Sequence, residues 1–256
     1  MAGGRNIMLG RMRFEIDGND LHTQSGSRLH GFIMEQLNAQ DASAFHQSQL
    51  QPFSQSVYTE HKKKIWEISS LNKHTWDILN EKLNPLQSIV LNNGEEYAIV
   101  KKDYSTIEKD EFIKKYFTLK SPNPYINLKF VTPTAFKSYG KYINYPDKRL
   151  IIQSLLKKFN AFQTDYNFIS GKLLEDIEEQ VILDGYEVQS NKFSLEGIKI
   201  PSFQGFITLK VYGSDILKSY LHLLVAFGEF SGIGIKSALG MGKIRKIGGE
   251  EWTRKN

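Results

Sequence analysis

The chain has 256 residues, 40% of them hydrophobic and 24% charged, and it contains no cysteine. A chain of that length can bury a core of its own. The missing thiols exclude disulfides, cysteine nucleophiles and thiolate metal sites, and they fit a reducing, cytoplasmic setting. A net charge of +5 and a pI of about 9.1 tilt the partner toward a polyanion, either nucleic acid or an anionic surface. No apolar run approaches the length of a membrane span. The first sixteen residues lack the apolar core and cleavage site of a signal peptide, so none is expected.

The elements follow in order. Asn6–Asp17 alternates as a strand through Ile7, Leu9, Met12, Phe14 and Ile16, and Ser25-Gly-Ser27 breaks the pattern. Arg28–Gln40 has the helical spacing Leu29, Phe32, Ile33, Leu37; Asp41–Gln51 reads as a loop or a short helix. Gln51–Tyr58 and Lys63–Ser69 form a hairpin. Asn72–Leu83 is a helix stopped by Asn84-Pro85, Glu95–Asp103 a strand, and Ile107–Phe117 a further helix. The order is βαββαβ, the split βαβ arrangement.

Ser121-Pro-Asn-Pro124 reads as a linker. Beyond it come a strand at Tyr125–Phe136 interrupted by Pro133, a helix at Asp147–Ala161, and a helix or irregular segment at Ser170–Leu183. Tyr186–Ile200 holds one or two strands. Phe203–Tyr212 is a strand with Ile207, Leu209 and Val211 on one face, and Asp215–Phe227 is a helix capped by Ser214 or Asp215. A last strand, Gly242–Ile247, closes the chain. The second half thus repeats βαββαβ with insertions, without sequence self-similarity. The class is α+β with antiparallel sheets, in two domains, 1–120 and 121–256.

Between the last helix and the last strand lies Gly232-Ile-Gly-Ile-Lys-Ser-Ala-Leu-Gly-Met-Gly242. It fits neither the dinucleotide fingerprint nor the Walker loop. Both of those run from strand to helix and place phosphate at a helix N-terminus; this loop runs from helix to strand. Its glycines allow positive φ, or a close approach of a phosphate to successive N–H groups. A tight corner beneath the helix is the alternative, with about even weight.

The pattern Gly-h-Gly-x5-Gly-h-Gly (h apolar) after an apolar helix resembles the glycine-rich loop of the RAMP superfamily of CRISPR proteins. Within that superfamily the chain looks like the CRISPR repeat-processing endoribonucleases, which cut precursor CRISPR RNA (pre-crRNA). Leu128-x-Phe130-x-Thr132-Pro-Thr134-x-Phe136 and Ile200-Pro-Ser-Phe203-Gln-Gly-Phe-Ile207 resemble two strands of that family. Leu29-His-Gly-Phe-Ile33, Ala44-Phe-His46 and Pro52-Phe-Ser54 follow its helix, catalytic loop and next strand. The resemblance implies tandem ferredoxin-like (RRM-like) domains, the first carrying a catalytic histidine and the second the glycine loop. It also implies cleavage without metal or other cofactor, giving 2′,3′-cyclic phosphate and 5′-hydroxyl ends. A non-catalytic RAMP-type RNA-binding subunit of an effector complex is the alternative function.

Such a reaction uses the 2′-hydroxyl of the RNA as nucleophile, so the protein supplies proton transfer, positioning and charge stabilisation. Histidine suits the first task, with an ordinary pKa near 6.5. His46 matches the family's catalytic histidine by position; on its residues alone a solvated loop histidine is the commoner reading. His30, on the first helix, is the assisting candidate, against a partly buried helix histidine. His61, His74 and His222 read as solvated. Some family members carry a lysine shortly after the histidine, whereas here Gln47-Ser-Gln-Leu-Gln51 has none. The candidate RNA contacts are Gly232, Gly234, Lys236, Gly240, Gly242, Lys243, Arg245 and Lys246, with Lys62, Lys63 and Lys64 across the hairpin. Lys114-Lys115 and Lys157-Lys158 are further basic pairs, and general solubilising charge is the plainer reading for most of these lysines. No metal site is expected, since no metal-ligand spacing occurs. CRISPR repeat RNA is the expected partner; effector-complex subunits and a second copy of the chain are further candidates, and a membrane is not.

Overall fold

A computed structural model of the chain describes residues 8–248 apart from 19, 49, 119 and 163–170. The side chains of Met8, His46, Asp176 and residues 171–174 also lie outside the described residues. Two antiparallel sheets, each backed by helices, divide the chain between them.

The first sheet contains β1 (Met8–Ile16), β2 (Phe53–Glu60), β3 (Lys63–Ser70), β4 (Ser88–Val90) and β5 (Glu96–Glu108). Its order is β2-β3-β1-β5-β4. Helices α1 (Gly26–Gln36), α2 (Ala39–Gln47) and α3 (Lys73–Leu83) lie in its connections, and α4 (Lys109–Phe117) follows it. The segment left open between loop and helix is therefore a helix, α2. Asn38 caps it by accepting from the Asp41 N–H at 2.8 Å. Along β1 the even residues Met12, Phe14 and Ile16 enter the core with Leu29, Ile33 and Trp66. The odd residues Arg11 and Arg13 stand on the opposite face, as the two-residue strand period requires.

The second sheet contains β6 (Tyr125–Thr134), β9 (Val181–Leu195), β10 (Ile198–Val211) and β11 (Ile244–Ile247), ordered β11-β6-β10-β9. Helices α5 (Lys148–Phe162), α6 (Gly171–Gln180) and α7 (Asp215–Ser231) complete it. Each sheet has the strand order of a split βαβ unit, so the tandem ferredoxin-like reading holds. A short hairpin, β7 (Phe136–Ser138) with β8 (Lys141–Ile143), is an addition that the residue pattern did not suggest. It turns at Tyr139-Gly140, both with positive φ.

α7 differs from the other helices in being apolar on nearly every side. Tyr220–Gly228 is buried throughout, against α5 on one side and the sheet on the other. His222, read as solvated from its spacing to Lys218, is buried, and its Nε2 lies 2.7 Å from the Asn123 carbonyl oxygen. Among the described residues no helix is long and apolar enough to cross a membrane.

The sheets are joined around one carboxylate. Glu67 on β3 is 1% exposed and is ion-paired with Lys243, which precedes β11, and with Arg245 on β11. Arg11 Nε lies 3.2 Å away on β1, and Tyr58 donates its hydroxyl to Glu67 at 2.6 Å. Lys243 Nζ and Arg11 Nη2 also donate to the Glu229 carbonyl at the end of α7, at 2.5 and 3.4 Å. Burial alone would push the Glu67 carboxyl up; Lys243, Arg11 and Arg245 outweigh it and hold it well below the usual range.

Removing one partner from such a cluster strands the rest. Glu67→Gln is expected to destabilise the fold by about 3–5 kcal/mol, because the buried Lys243 ammonium loses its counter-ion. Because the folded-state carboxyl titrates below its unfolded value, the contribution is full above about pH 4.5 and is lost as pH falls through the folded value. Urea unfolding of the wild type and Glu67→Gln at pH 7 and at pH 4 measures both; the gap between them should shrink at the lower pH.

Candidate active site between the glycine loop and the first helices

The glycine loop is a packed joint as well as a cleft wall. Gly232 caps α7. Gly234 has φ +77 and Gly242 φ +74, and a Cβ there would stand 2.3 Å from the Ala135 oxygen and 2.0 Å from the Ile233 oxygen. The backbone closes on itself and on β6: Ile233 N–H donates to Gly242 O, Gly242 N–H to Pro133 O and Ile235 N–H to Ala135 O, at 2.8–3.0 Å. Gly234 N–H donates to Ser154 Oγ on α5 at 2.8 Å. Lys236 takes left-handed geometry, φ 57, and starts a 3-10 turn at Ser237–Leu239.

That turn presses on the first sheet and on α1. Gln55 on β2 is buried; its Nε2 donates to Ala238 O at 3.0 Å and to Gly26 O at 2.6 Å, while its Oε1 accepts from Trp66 Nε1 at 2.9 Å. At Gly26, the first residue of α1, a Cβ would lie 2.0 Å from the Leu239 oxygen. Ser25-Gly-Ser27 is thus a contact point as well as the break its composition announces. One turn further along α1 is His30, whose ring stacks on Phe53 with centroids 5.8 Å apart.

Beside this joint opens a cleft of about 680 Å³. His30 lines it, with Leu50 and Gln51 just after α2, the loop from Gly234 to Leu239, and Ser154, Lys157 and Lys158 of α5. His46 is the last residue but one of α2, four residues before Leu50; its side chain lies outside the described residues. Lys137, Lys157, Lys158 and Lys236 face the cleft, and among the described residues no carboxylate does. Among the described residues no group of three or more His, Asp or Glu side chains is placed to hold a metal ion.

The other basic residues expected at RNA go elsewhere. Lys243 and Arg245 are engaged with Glu67; Lys243 is 3% exposed and out of reach of a phosphate. Lys246 is half-buried, its ammonium 5.7 Å from the centre of the Tyr116 ring. Lys62–Lys64 sit at the β2–β3 turn, where Lys63 pairs with Glu15 at 2.9 Å. Six residues of extended strand, Gln55 to Glu60, roughly 20 Å, separate that turn from the glycine loop. Lys158, counted among surface pairs, is the residue that sequence reasoning misplaced: it is 7% exposed and faces the cleft from within. Its neighbour Lys157 is exposed, so only the inward side of α5, marked by Leu155 and Phe159, could have distinguished the two.

The model of a family described as CRISPR-associated endoribonuclease Cas6 matches residues 128–244. A CRISPR-associated endoribonuclease Cas6 of Streptococcus thermophilus is 31% identical over 218 residues, 85% of this chain and 89% of that protein. The chain belongs to the Cas6 family. A Mycobacterium tuberculosis Cas6 is 30% identical over 224 residues, 86% of this chain and 71% of that protein. Among solved structures, a Cas6 product complex superposes with a TM-score of 0.80 at 20% identity, covering 94% of this chain and all of that one. Thermus thermophilus Cas6 gives 0.73 at 20% identity, covering 95% and 100%.

Two glycines of α1 separate the joint from simple helix propensity. Gly31→Ala meets nothing within 4 Å and should stabilise the protein by about 0.5–1 kcal/mol. Gly26→Ala, equally helical at φ −58, should lower the melting temperature because its Cβ drives the Leu239 carbonyl off α1. Thermal melts of the two variants give opposite signs if the contact governs, and the same sign if it does not.

Proposed function

We propose that this Cas6 chain cleaves CRISPR repeat RNA in precursor transcripts, in the cleft between the glycine loop and the first two helices, by a reaction that needs no metal ion. The observation that carries the reading is the composition of the cleft: four lysines, one histidine and the segment just after the helix bearing His46, with no carboxylate among the described residues. The lysines neutralise phosphates that enter. The glycine loop lets the backbone approach the RNA closely, and its N-terminal part, Gly234 to Ser237, is the portion assigned to hold it. Residues 1–120 supply the histidines and residues 121–256 the loop.

In the reaction the ribose 2′-oxygen forms a bond to phosphorus and the bond from phosphorus to the 5′-oxygen breaks. The proton of the 2′-hydroxyl passes to a base, and the departing 5′-oxygen receives one. The products are a 2′,3′-cyclic phosphate and a 5′-hydroxyl. His46 is assigned as the principal proton-transfer group and His30, on the neighbouring helix, as its assistant. Acid–base help of this kind is worth about 10²–10⁴ in rate.

His46→Ala is expected to cut repeat RNA at least ~100-fold more slowly in EDTA while binding it within about threefold of wild type. Single-turnover cleavage and filter binding measure the two. A 2′-deoxy sugar just 5′ of the scissile phosphate should block cutting. Wild-type protein that binds repeat RNA and leaves it whole would instead make the chain a non-catalytic RNA-binding subunit. If three or four cleft lysines meet phosphates, log K should fall with log salt at a slope of about −2 to −3, taking ~0.7 per contact for a single strand. A flat salt dependence would contradict the assignment.

A further inference from the structure

The cleft contains a group whose chemistry answers the gap after His46, and the argument rests on the cleavage reading above. Lys158 reaches from α5 into the joint between α7 and the glycine loop. Its Nζ lies 3.1 Å from the Ser231 carbonyl oxygen, 3.0 Å from that of Gly232 and 3.1 Å from Ser237 Oγ. An ammonium has three hydrogens and no acceptor. These three oxygens therefore use all of its donors.

With Lys158 in its ammonium form Ser237 Oγ accepts, so its own hydrogen points elsewhere. No acceptor for it occurs among the described residues. Ser237 is half-buried and lines the cleft. Lys158 is buried with no carboxylate beside it among the described residues, and burial pulls it down to about 7. The charged or titratable groups around the cleft are Lys157 on α5, Lys236 in the loop, Lys137 on β7 and His30 on α1. α7 contributes only the Ser231 carbonyl and its cap. The negative charge that would hold Lys158 in its ammonium form is thus not supplied by the described residues; a polyanion in the cleft would supply it.

We propose that the Ser237 hydroxyl, held and polarised by Lys158, donates a hydrogen bond to a non-bridging oxygen of the scissile phosphate. Charge gathers on those oxygens as the 2′-oxygen attacks, and the bond strengthens with it; Ser237 keeps its proton throughout. A donor backed by a cation is stronger than a neutral one. It is also in place before the reaction, because Lys158 fixes Gly232 and Ser237 at the two ends of the loop's first half. Ser237 is then a catalytic residue and Lys158 the residue that positions it, together standing in for the lysine that the stretch after His46 lacks.

The test compares wild type, Ser237→Ala, Lys158→Met and the double variant on one repeat RNA, in EDTA, under single turnover at saturating protein. Ser237→Ala should cut ~10²-fold more slowly, the loss typical of one preorganised donor to a developing oxyanion. Its Kd should stay within about threefold of wild type, since the bond strengthens only as charge develops. In the Lys158→Met background the same change should cost several-fold less, because the hydroxyl has already lost its cation; a purely structural role would instead lower the melting temperature of Ser237→Ala along with its rate. Ser237→Ala that cuts within about twofold of wild type overturns the proposal. So does a weakening of binding that accounts for the whole loss of rate. Should Lys158→Met fail to fold, Ser237→Ala decides alone. Wild-type protein that leaves the RNA uncut defeats the cleavage reading and this inference with it; intact wild-type cleavage with an undiminished Ser237→Ala defeats only the inference.

Discussion

Everything in this molecule that concerns its cleft depends on the Glu67 carboxylate being met by cations from the other half of the chain. Glu67 belongs to the third strand, and Lys243 and Arg245 to the last few residues before and within the final strand. A buried carboxylate alone is strongly unfavourable, and so is a buried lysine alone. Together, with Arg11 and the Tyr58 hydroxyl satisfying further valences, they are stable only when the two sheets are docked. The pairing therefore acts more on specificity of arrangement than on net stability, since an apolar replacement of similar volume could be as stable. It sets the register of β11, and with it the position of the glycine loop that precedes it.

The loop is held from four sides. α7 enters it, β6 accepts its backbone, Gln55 reaches it from the first sheet, and Lys158 and Ser154 reach it from α5. Such over-determination lets it keep several residues at positive φ, including one lysine. The result is a rigid wall facing His30 and the end of α2. On the proposed reading the RNA would be met by groups already oriented, which is where electrostatic catalysis gains most.

The sequence carried the architecture well because hydrophobic period and turn chemistry are local. Both βαββαβ orders, the Ser214 cap and the helix-to-strand sense of the glycine loop could be read from it. α2 stayed ambiguous because its polar run, Gln40 to Ser48, has no apolar face beyond Phe45. The small hairpin at Tyr139-Gly140 went unseen because its strands are three residues each. Long-range pairings were invisible for a different reason. Lys243 and Arg245 sit in a basic run that looks like surface, and nothing near them announces Glu67, 176 residues from Lys243. Lys158 and His222 were misjudged alike: a polar residue on a helix looks solvated until its neighbours cover it. Ser237 drew no notice at all, being a common residue made distinctive only by the ammonium behind it.

The central claim is that RNA is cut against the glycine loop, opposite the histidines of the first domain. A structure of this Cas6 chain with a repeat RNA carrying a single 2′-deoxy block at the cut site tests it most directly. The account predicts the scissile phosphate in the cleft, with a non-bridging oxygen roughly 3 Å from Ser237 Oγ or a loop N–H. A scissile phosphate at the Lys62–Lys64 turn, or on the outer face of either sheet, would contradict it.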